Sequence, residues 1–359
     1  MSNRPGSISP LLSVVLDATR LGLSLMVVVG HWTQRYFQTE WPDLTAFAVA
    51  AVGGFFVLSG FTIRMIYPSS DGFSLRKYMS ERLSRIFSVT ILALVLTLVL
   101  DTISSSVNPG YYSEHWGRQA DQPLLRSLIN LLGVSQVWGM DVAPLSNSPF
   151  WSISYELGFY VVFGFWLAGY RWLAAATLVV LGPNIAVMFA FWLTGVAAYE
   201  LCCRNPVRLW MAVTLAVTGV VAGLAIYAFG GPIIDDFFAS LGVGRARVSR
   251  VLGASCAMFF AIYVPLIWLA NRVQFRIPDR WMRRARWLGN MTFPLYLLHF
   301  PAFVLIGALG LHDRSSDVQK VGLLVLVIAL IGLTAPLTDR IKVALRGRRM
   351  AAAPTLPNG

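Results

Sequence analysis

The sequence predicts an all-α, polytopic integral membrane helix bundle of about ten transmembrane helices with both termini cytoplasmic. Three observations predict it. Hydrophobic residues make up 56% of the 359, and charged residues only 13%, about half the charged share of a typical soluble domain. The mean hydropathy is +0.64. The apolar residues also gather into runs close to the roughly 20 residues that a helix needs to cross a bilayer. A disordered chain, a coiled coil and most soluble enzymes are excluded on the same grounds.

The runs fall at 11–32, 44–64, 86–103, 150–170, 172–183, 184–201, 209–230, 251–270, 287–310 and 321–341. The fifth is short for a span. So is an eleventh, at 124–138, which carries Arg126; charge parity lets only one of these two cross. One set of connections holds Arg64, Arg76, Lys77, Arg82, Arg85, Arg171, Arg204 and Arg208, then the Arg280 to Arg286 group and the tail beyond Arg340. The opposite set is sparser, with Arg35, Arg118, Arg126, Arg250 and Lys320 among its members. Basic residues collect on the cytoplasmic side, which places the first set and both termini there. The arrangement favoured by charge has 124–138 on the outer face or re-entrant and loop 139–150 outside. The alternative, with 124–138 spanning instead of 172–183, turns that loop inward. The net charge of +12, from 29 basic and 17 acidic residues, is then mostly topology, and nucleic acid is not expected as a partner. Three cysteines, Cys202, Cys203 and Cys256, offer neither a disulfide framework nor a metal spacing, and no cleavable signal is evident. Residues 1–345 read as one membrane domain, and 346–359 as a disordered cytoplasmic tail.

Ionisable side chains inside spans are costly and usually mark function. In the first span Asp17, Arg20, Ser24 and His31 fall within about 60° of one helical face. Asp17 and Arg20 are spaced to pair, and His31 lies about 16 Å deeper than Arg20. Structurally, Arg20 snorkels and His31 glues helices; functionally, Arg20 is an anion clamp and His31 a buried general base. Thr292, Tyr296 and His299 form a second polar face, flanked by Pro294 and Pro301, which predict a kink. Ser152, Glu156 and Tyr160, following Trp151, form a third, with Glu156 placed to meet Arg126 or a substrate. Gly53, Gly54, Ser59 and Gly60 suit close helix packing, with binding as a secondary role. Arg76, Lys77, Arg82 and Arg85 serve either as topogenic charge at lipid headgroups or as a phosphate-binding cluster.

Taken in order, these stretches resemble the acyltransferase 3 family of membrane acyltransferases. Leu16-Asp17-Ala18-Thr19-Arg20 with His31 is similar to the family's Leu-Asp-x-x-Arg opening and the histidine eleven residues on. Phe55-Phe56-Val57-Leu58-Ser59-Gly60-Phe61 resembles Phe-Phe-x-Leu-Ser-Gly-Phe. Arg82-Leu83-Ser84-Arg85-Ile86 resembles Arg-x-x-Arg-Ile. Trp151-Ser152-Ile153-Ser154-Tyr155-Glu156 with Phe159-Tyr160 resembles Trp-Ser-Leu-Ser-x-Glu and Phe-Tyr, with Tyr155 where many members have Val. Tyr296-Leu297-Leu298-His299 resembles Tyr-x-x-His.

The resemblance implies a multi-pass protein of the bacterial inner membrane that moves an acyl group, often acetyl, from cytosolic acyl-coenzyme A to a hydroxyl. The acceptor would be a cell-envelope or exported glycan or a lipid-linked sugar, and polysaccharide-synthesis proteins would be partners. No permanently bound cofactor and no metal are expected. His31, Arg20 and Glu156 are the expected catalytic group. Arg82 and Arg85, with Arg76 and Lys77, are expected to hold the donor's phosphates. Asp17, Ser24, Ser59, Trp151, Ser152, Tyr296 and His299 are expected to support the substrates. Direct attack and an acyl-imidazole intermediate both fit. The rival reading is a transporter or flippase of an anionic lipid-linked sugar that uses the same buried His, Arg and Glu groups. Against it, the two halves show no internal repeat.

Overall fold

A computed structural model describes residues 9–37, 41–204, 208–243, 246–273, 275, 277–311 and 316–351. Among them there is no strand. The long helices are α1 (Pro10–Trp32), α2 (Thr45–Ile66) and α3 (Leu75–Val107). Two short helices follow, α4 (Pro109–Trp116) and α5 (Pro123–Leu131), then α6 (Trp151–Leu167), α7 (Arg171–Leu181) and α8 (Pro183–Tyr199), which continues through a wider turn to Arg204. The chain closes with α9 (Leu209–Phe229), α10 (Gly231–Ser240), α11 (Ala246–Arg272), α12 (Asp279–Ala308), α13 (Asp317–Gly332) and α14 (Ala335–Ala351).

Eight described helices are long and apolar enough to cross a membrane. Two of the ten expected spans are shorter: α6 has 17 residues and α7 has 11. The 124–138 stretch forms no span. Helix α5 covers nine residues, about 14 Å of rise. It leaves Leu124, Leu125, Leu128 and Leu132 exposed. Helix α14 extends to Ala351 and so takes in the first residues of the expected tail; the Arg, Met and Ala there are good helix formers. Residues 352–359 lie outside the described residues.

The connections sort onto two ends. At one, Leu44 N–H donates to Thr33 Oγ1 at 3.0 Å, Trp41 Nε1 donates to Asp317 at 2.6 Å, and Tyr36 packs on His115 and Trp116. At the other, Ser9 Oγ donates to the Ala270 carbonyl at 2.7 Å, and Asn290 Nδ2 donates to Asp339 at 2.9 Å. The first and last described helices therefore bring their outer ends to the same end of the bundle, the one with the Arg82 and Arg85 cluster.

After α5 the chain turns back between helices. Ser154 Oγ donates to the Gly133 carbonyl at 2.6 Å, and the backbone N–H and hydroxyl of Ser146 both donate to Asp101, at 2.8 and 2.7 Å. Asn147, wholly buried, donates to Thr97 Oγ1 and to the Leu297 carbonyl, each at 2.9 Å. Leu297 is four residues before Pro301, whose missing N–H would orphan that carbonyl. Irregular backbone at membrane depth persists only where protein groups satisfy it, and Asn147 does so here. Asn147→Ala is expected to lower stability by about 2–4 kcal/mol, two lost bonds with buried partners left unpaired. Denaturation of the purified variant in detergent checks this, with no measurable shift as the contrary result.

Helices α2 and α8 meet backbone to backbone. A Cβ on Gly60 would lie 2.3 Å from the Trp192 carbonyl oxygen, and one on Gly195 would lie 1.9 Å from that of Val57. Close approach of this kind is what small residues allow between membrane helices. It explains Gly60 in the Phe-Phe-Val-Leu-Ser-Gly-Phe stretch. Gly195→Leu is expected to prevent accumulation of folded protein, read as loss of the monodisperse peak on size exclusion.

Candidate active site

Helices α1 and α12 pack in register. Ser24 Oγ of α1 donates to the Thr292 carbonyl of α12 at 3.0 Å. Seven residues further along both helices, the rings of His31 and His299 stack with centroids 5.3 Å apart. An equal offset on two parallel helices means an equal rise of about 10 Å, so the Ser24–Thr292 bond and the histidine pair fix one another's level. His299 is fully buried, and its Nδ1 lies 2.7 Å from the Leu295 carbonyl oxygen. Its Nε2 and the Nδ1 of His31 have no hydrogen-bond partner among the described residues.

Below that pair a cavity of about 80 Å³ lies among α1, α2, α3, α6, α8 and α12. Its polar walls are Arg20, Ser59, Thr62, Arg82, Arg85, Ser152, Glu156, Tyr160, Thr292 and Tyr296, with Val52, Phe55, Phe56, Ile86, Phe159 and Trp192 among the apolar ones. An apolar chamber with a few convergent polar groups is the usual form of a small-molecule site. Arg20 is set by Asp17, its ion-pair partner at 2.8 Å, and by Thr62 Oγ1 at 2.9 Å. Arg82 is almost buried, 3.7 Å from Glu81, with its guanidinium carbon 5.9 Å from the Tyr67 ring centre. Arg85 makes no ion pair or side-chain hydrogen bond among the described residues. Tyr160 donates to Glu156, and Tyr296 donates to Ser152 Oγ at 2.7 Å near the Pro149 carbonyl at 3.2 Å. The Tyr296–Ser152 bond lies at the end of the chamber nearest the histidines, one helical turn short of His299.

The arginine end opens into a second space of about 280 Å³, also lined by Arg20, Arg82, Arg85, Thr292 and Phe293. Three guanidinium groups thus stand where the two spaces join. That arrangement favours an anion bearing several oxygens, since guanidinium forks match phosphate.

Of the residues expected from the sequence, the structure brings Arg20, Arg82, Arg85, Ser59, Ser152, Glu156 and Tyr296 to one chamber, with Asp17 behind Arg20. Ser24 is spent on the Thr292 carbonyl. His31 and His299 sit beyond the chamber rather than in its wall. Arg76 and Lys77 are exposed and line neither space, because α3 starts at Leu75 and carries them a turn or more outside the cavity. The Trp151 ring packs on Tyr155 at 5.5 Å instead of facing the chamber. Glu156 does not meet Arg126. Arg126 Nε donates to Asp121 at 2.8 Å, because α5 lies at the opposite end of the bundle. Thr62, Lys342 and Arg346 were not anticipated. Thr62 is three residues past Ser59 on the same face of α2, a spacing that would have pointed to it.

Residues 14–338 match the acyltransferase 3 family, described as an acyltransferase domain. Acyltransferase MdmB of Streptomyces mycarofaciens is 24% identical over 353 residues, covering 89% of this chain and 87% of that protein. No solved structure matches the chain. With a match that runs from the first helix into the last, and with the family's motifs gathered around one cavity, this multi-pass membrane protein belongs to the acyltransferase 3 family.

Proposed function

We propose that the chain transfers an acyl group, acetyl in the simplest case, from cytosolic acyl-coenzyme A to a hydroxyl of a cell-envelope or exported glycan or a lipid-linked sugar. The arginine end then faces the cytoplasm of a bacterial inner membrane, in keeping with its basic loops. Both termini lie on that side, and loop 139–150 lies toward the outside. The observation that carries the reading is the chamber itself, with three arginines at one end and a histidine pair one turn past the other.

The donor's phosphates rest on Arg82 and Arg85, with Arg20 oriented by Asp17. The thioester arm runs up the apolar chamber toward Tyr296 and Ser152. The acceptor approaches from the opposite end of the bundle. His31 takes the proton of the acceptor hydroxyl as its oxygen attacks the thioester carbonyl. The carbon–sulfur bond breaks, and the coenzyme A thiolate leaves and regains a proton. Tyr296 and Ser152 supply hydroxyl donors where the carbonyl oxygen gains charge. Glu156, held by Tyr160, orients the acceptor. His299 holds the His31 ring by stacking. Family membership favours this reading over a transporter.

Membranes containing the chain, given acetyl-coenzyme A labelled in the acetyl group together with cell-envelope glycan, should move label to the glycan and release one free thiol per acetyl. No thioester consumption with any acceptor overturns the reading.

A further inference from the structure

We propose that α14 completes the donor site: Lys342 and Arg346 face Arg82 and Arg85 across the outer space and hold the phosphorylated nucleotide of the acyl-coenzyme A. This rests on the donor reading above and extends it to a helix that no motif covers.

The two spaces differ in chemistry. The chamber is mostly apolar, whereas the outer space is lined by Asp17, Glu81, Asp339, Lys342 and Arg346 besides the three shared arginines. Coenzyme A has the same division, a neutral pantetheine arm joined to a nucleotide with all the phosphate charge. Asp339, Lys342 and Arg346 are spaced by three and four and so share one face of α14. That face borders the outer space: Asp339 accepts from Asn290 Nδ2 of α12 at 2.9 Å and pairs with the half-buried Lys342, and Arg346, exposed at the rim, donates from Nε to Ser84 Oγ of α3 at 3.2 Å. Ser84 lies between Arg82 and Arg85, so Arg346 is held at the turn that carries both. A hydroxyl leaves the Arg346 charge uncompensated, and no carboxylate pairs with Arg346 among the described residues. Arg85 is likewise unpaired. Two unbalanced guanidiniums, Arg346 and Arg85, therefore face one polar space, and a phosphate bridging them satisfies both.

The test compares two donors in neutral-lipid vesicles: acetyl-coenzyme A, and S-acetylpantetheine, which lacks the nucleotide. Arg346→Gln should raise KM for acetyl-coenzyme A by about tenfold, the size of one charge-assisted bond. KM for S-acetylpantetheine should not change. Lys342→Gln in the same chain should add to the effect, and Arg346→Lys should restore part of the affinity. Inhibition by adenosine 3′,5′-bisphosphate should weaken in parallel. Equal effects on both donors, or none on either, overturn the proposal. So does a variant that loses only a response to added anionic lipid, which would make Arg346 a headgroup contact. If the unaltered protein consumes neither thioester, the donor reading falls and takes this with it. If it consumes both while the variants leave their KM ratio unchanged, only the role of α14 falls.

Discussion

His31→Ala is expected to lower the rate of acyl transfer by about 10²- to 10⁴-fold, the usual contribution of a general base, with KM for the donor changed by less than about threefold because no donor contact is assigned to the imidazole. The size follows from chemistry. A sugar hydroxyl is a poor nucleophile at neutral pH, and His31 and His299 are the imidazoles the bundle sets near the thioester end of the chamber. The split between rate and KM follows from geometry, since His31 lies outside the wall that holds the donor. The ring also packs on His299 and Phe300, each with centroids 5.3 Å away, so alanine removes packing as well as a base. His31→Gln keeps most of the volume and separates the two effects. It should be as inactive as the alanine variant while unfolding near the temperature of the unaltered protein. Transfer by His31→Gln at the unaltered rate would remove the base from His31.

The bundle was legible because hydrophobic run length is a nearly direct readout of bilayer thickness, and α1, α2, α9, α11 and α12 appear where their runs lie. Helices α6 and α7 also lie on their runs, at 150–170 and 172–183, whereas the path of the chain around α5 was not legible. The 124–138 stretch is apolar, yet its leucines cover one side of a nine-residue helix, and the segment after it is held by Asp101, Thr97 and Ser154, contacts up to 50 residues away that no local pattern reports. The site divides in the same manner. Asp17 with Arg20, and Tyr296 with Ser152, were visible as polar residues at helical spacing on apolar faces. Arg346 was not, because beyond a span an arginine has the same composition whether it meets solvent, a headgroup or a cavity. Counting residues sets His31 about 16 Å beyond Arg20 along α1. That it stops one turn beyond the chamber depends on the register between α1 and α12, which the Ser24 bond to Thr292 sets and one helix alone cannot express.

Arg85→Gln is expected to raise KM for acyl-coenzyme A by about 10- to 100-fold, the worth of a charge-assisted bond to phosphate, while KM for the acceptor stays the same. Its effect on stability should run the other way. Arg20, Arg82 and Arg85 crowd one junction, and the carboxylates around it are already engaged: Asp17 with Arg20 at 2.8 Å, Glu81 near Arg82 at 3.7 Å, Glu156 with Tyr160, and Asp339 with Lys342. Arg85 has no such partner, so in the empty protein it contributes mainly repulsion in a partly desolvated space. Removing it should leave the unfolding temperature equal or higher, whereas Arg82→Gln, which vacates a buried site beside Tyr67, should lower it. A residue kept for folding loses stability and function together. One kept for an absent anion loses function and gains stability, and that gain should vanish when saturating donor is added, because bound ligand stabilises only the form that holds it. Parallel loss of stability and donor affinity in Arg85→Gln would assign Arg85 to the fold and leave the donor's phosphates to Arg20 and Arg82.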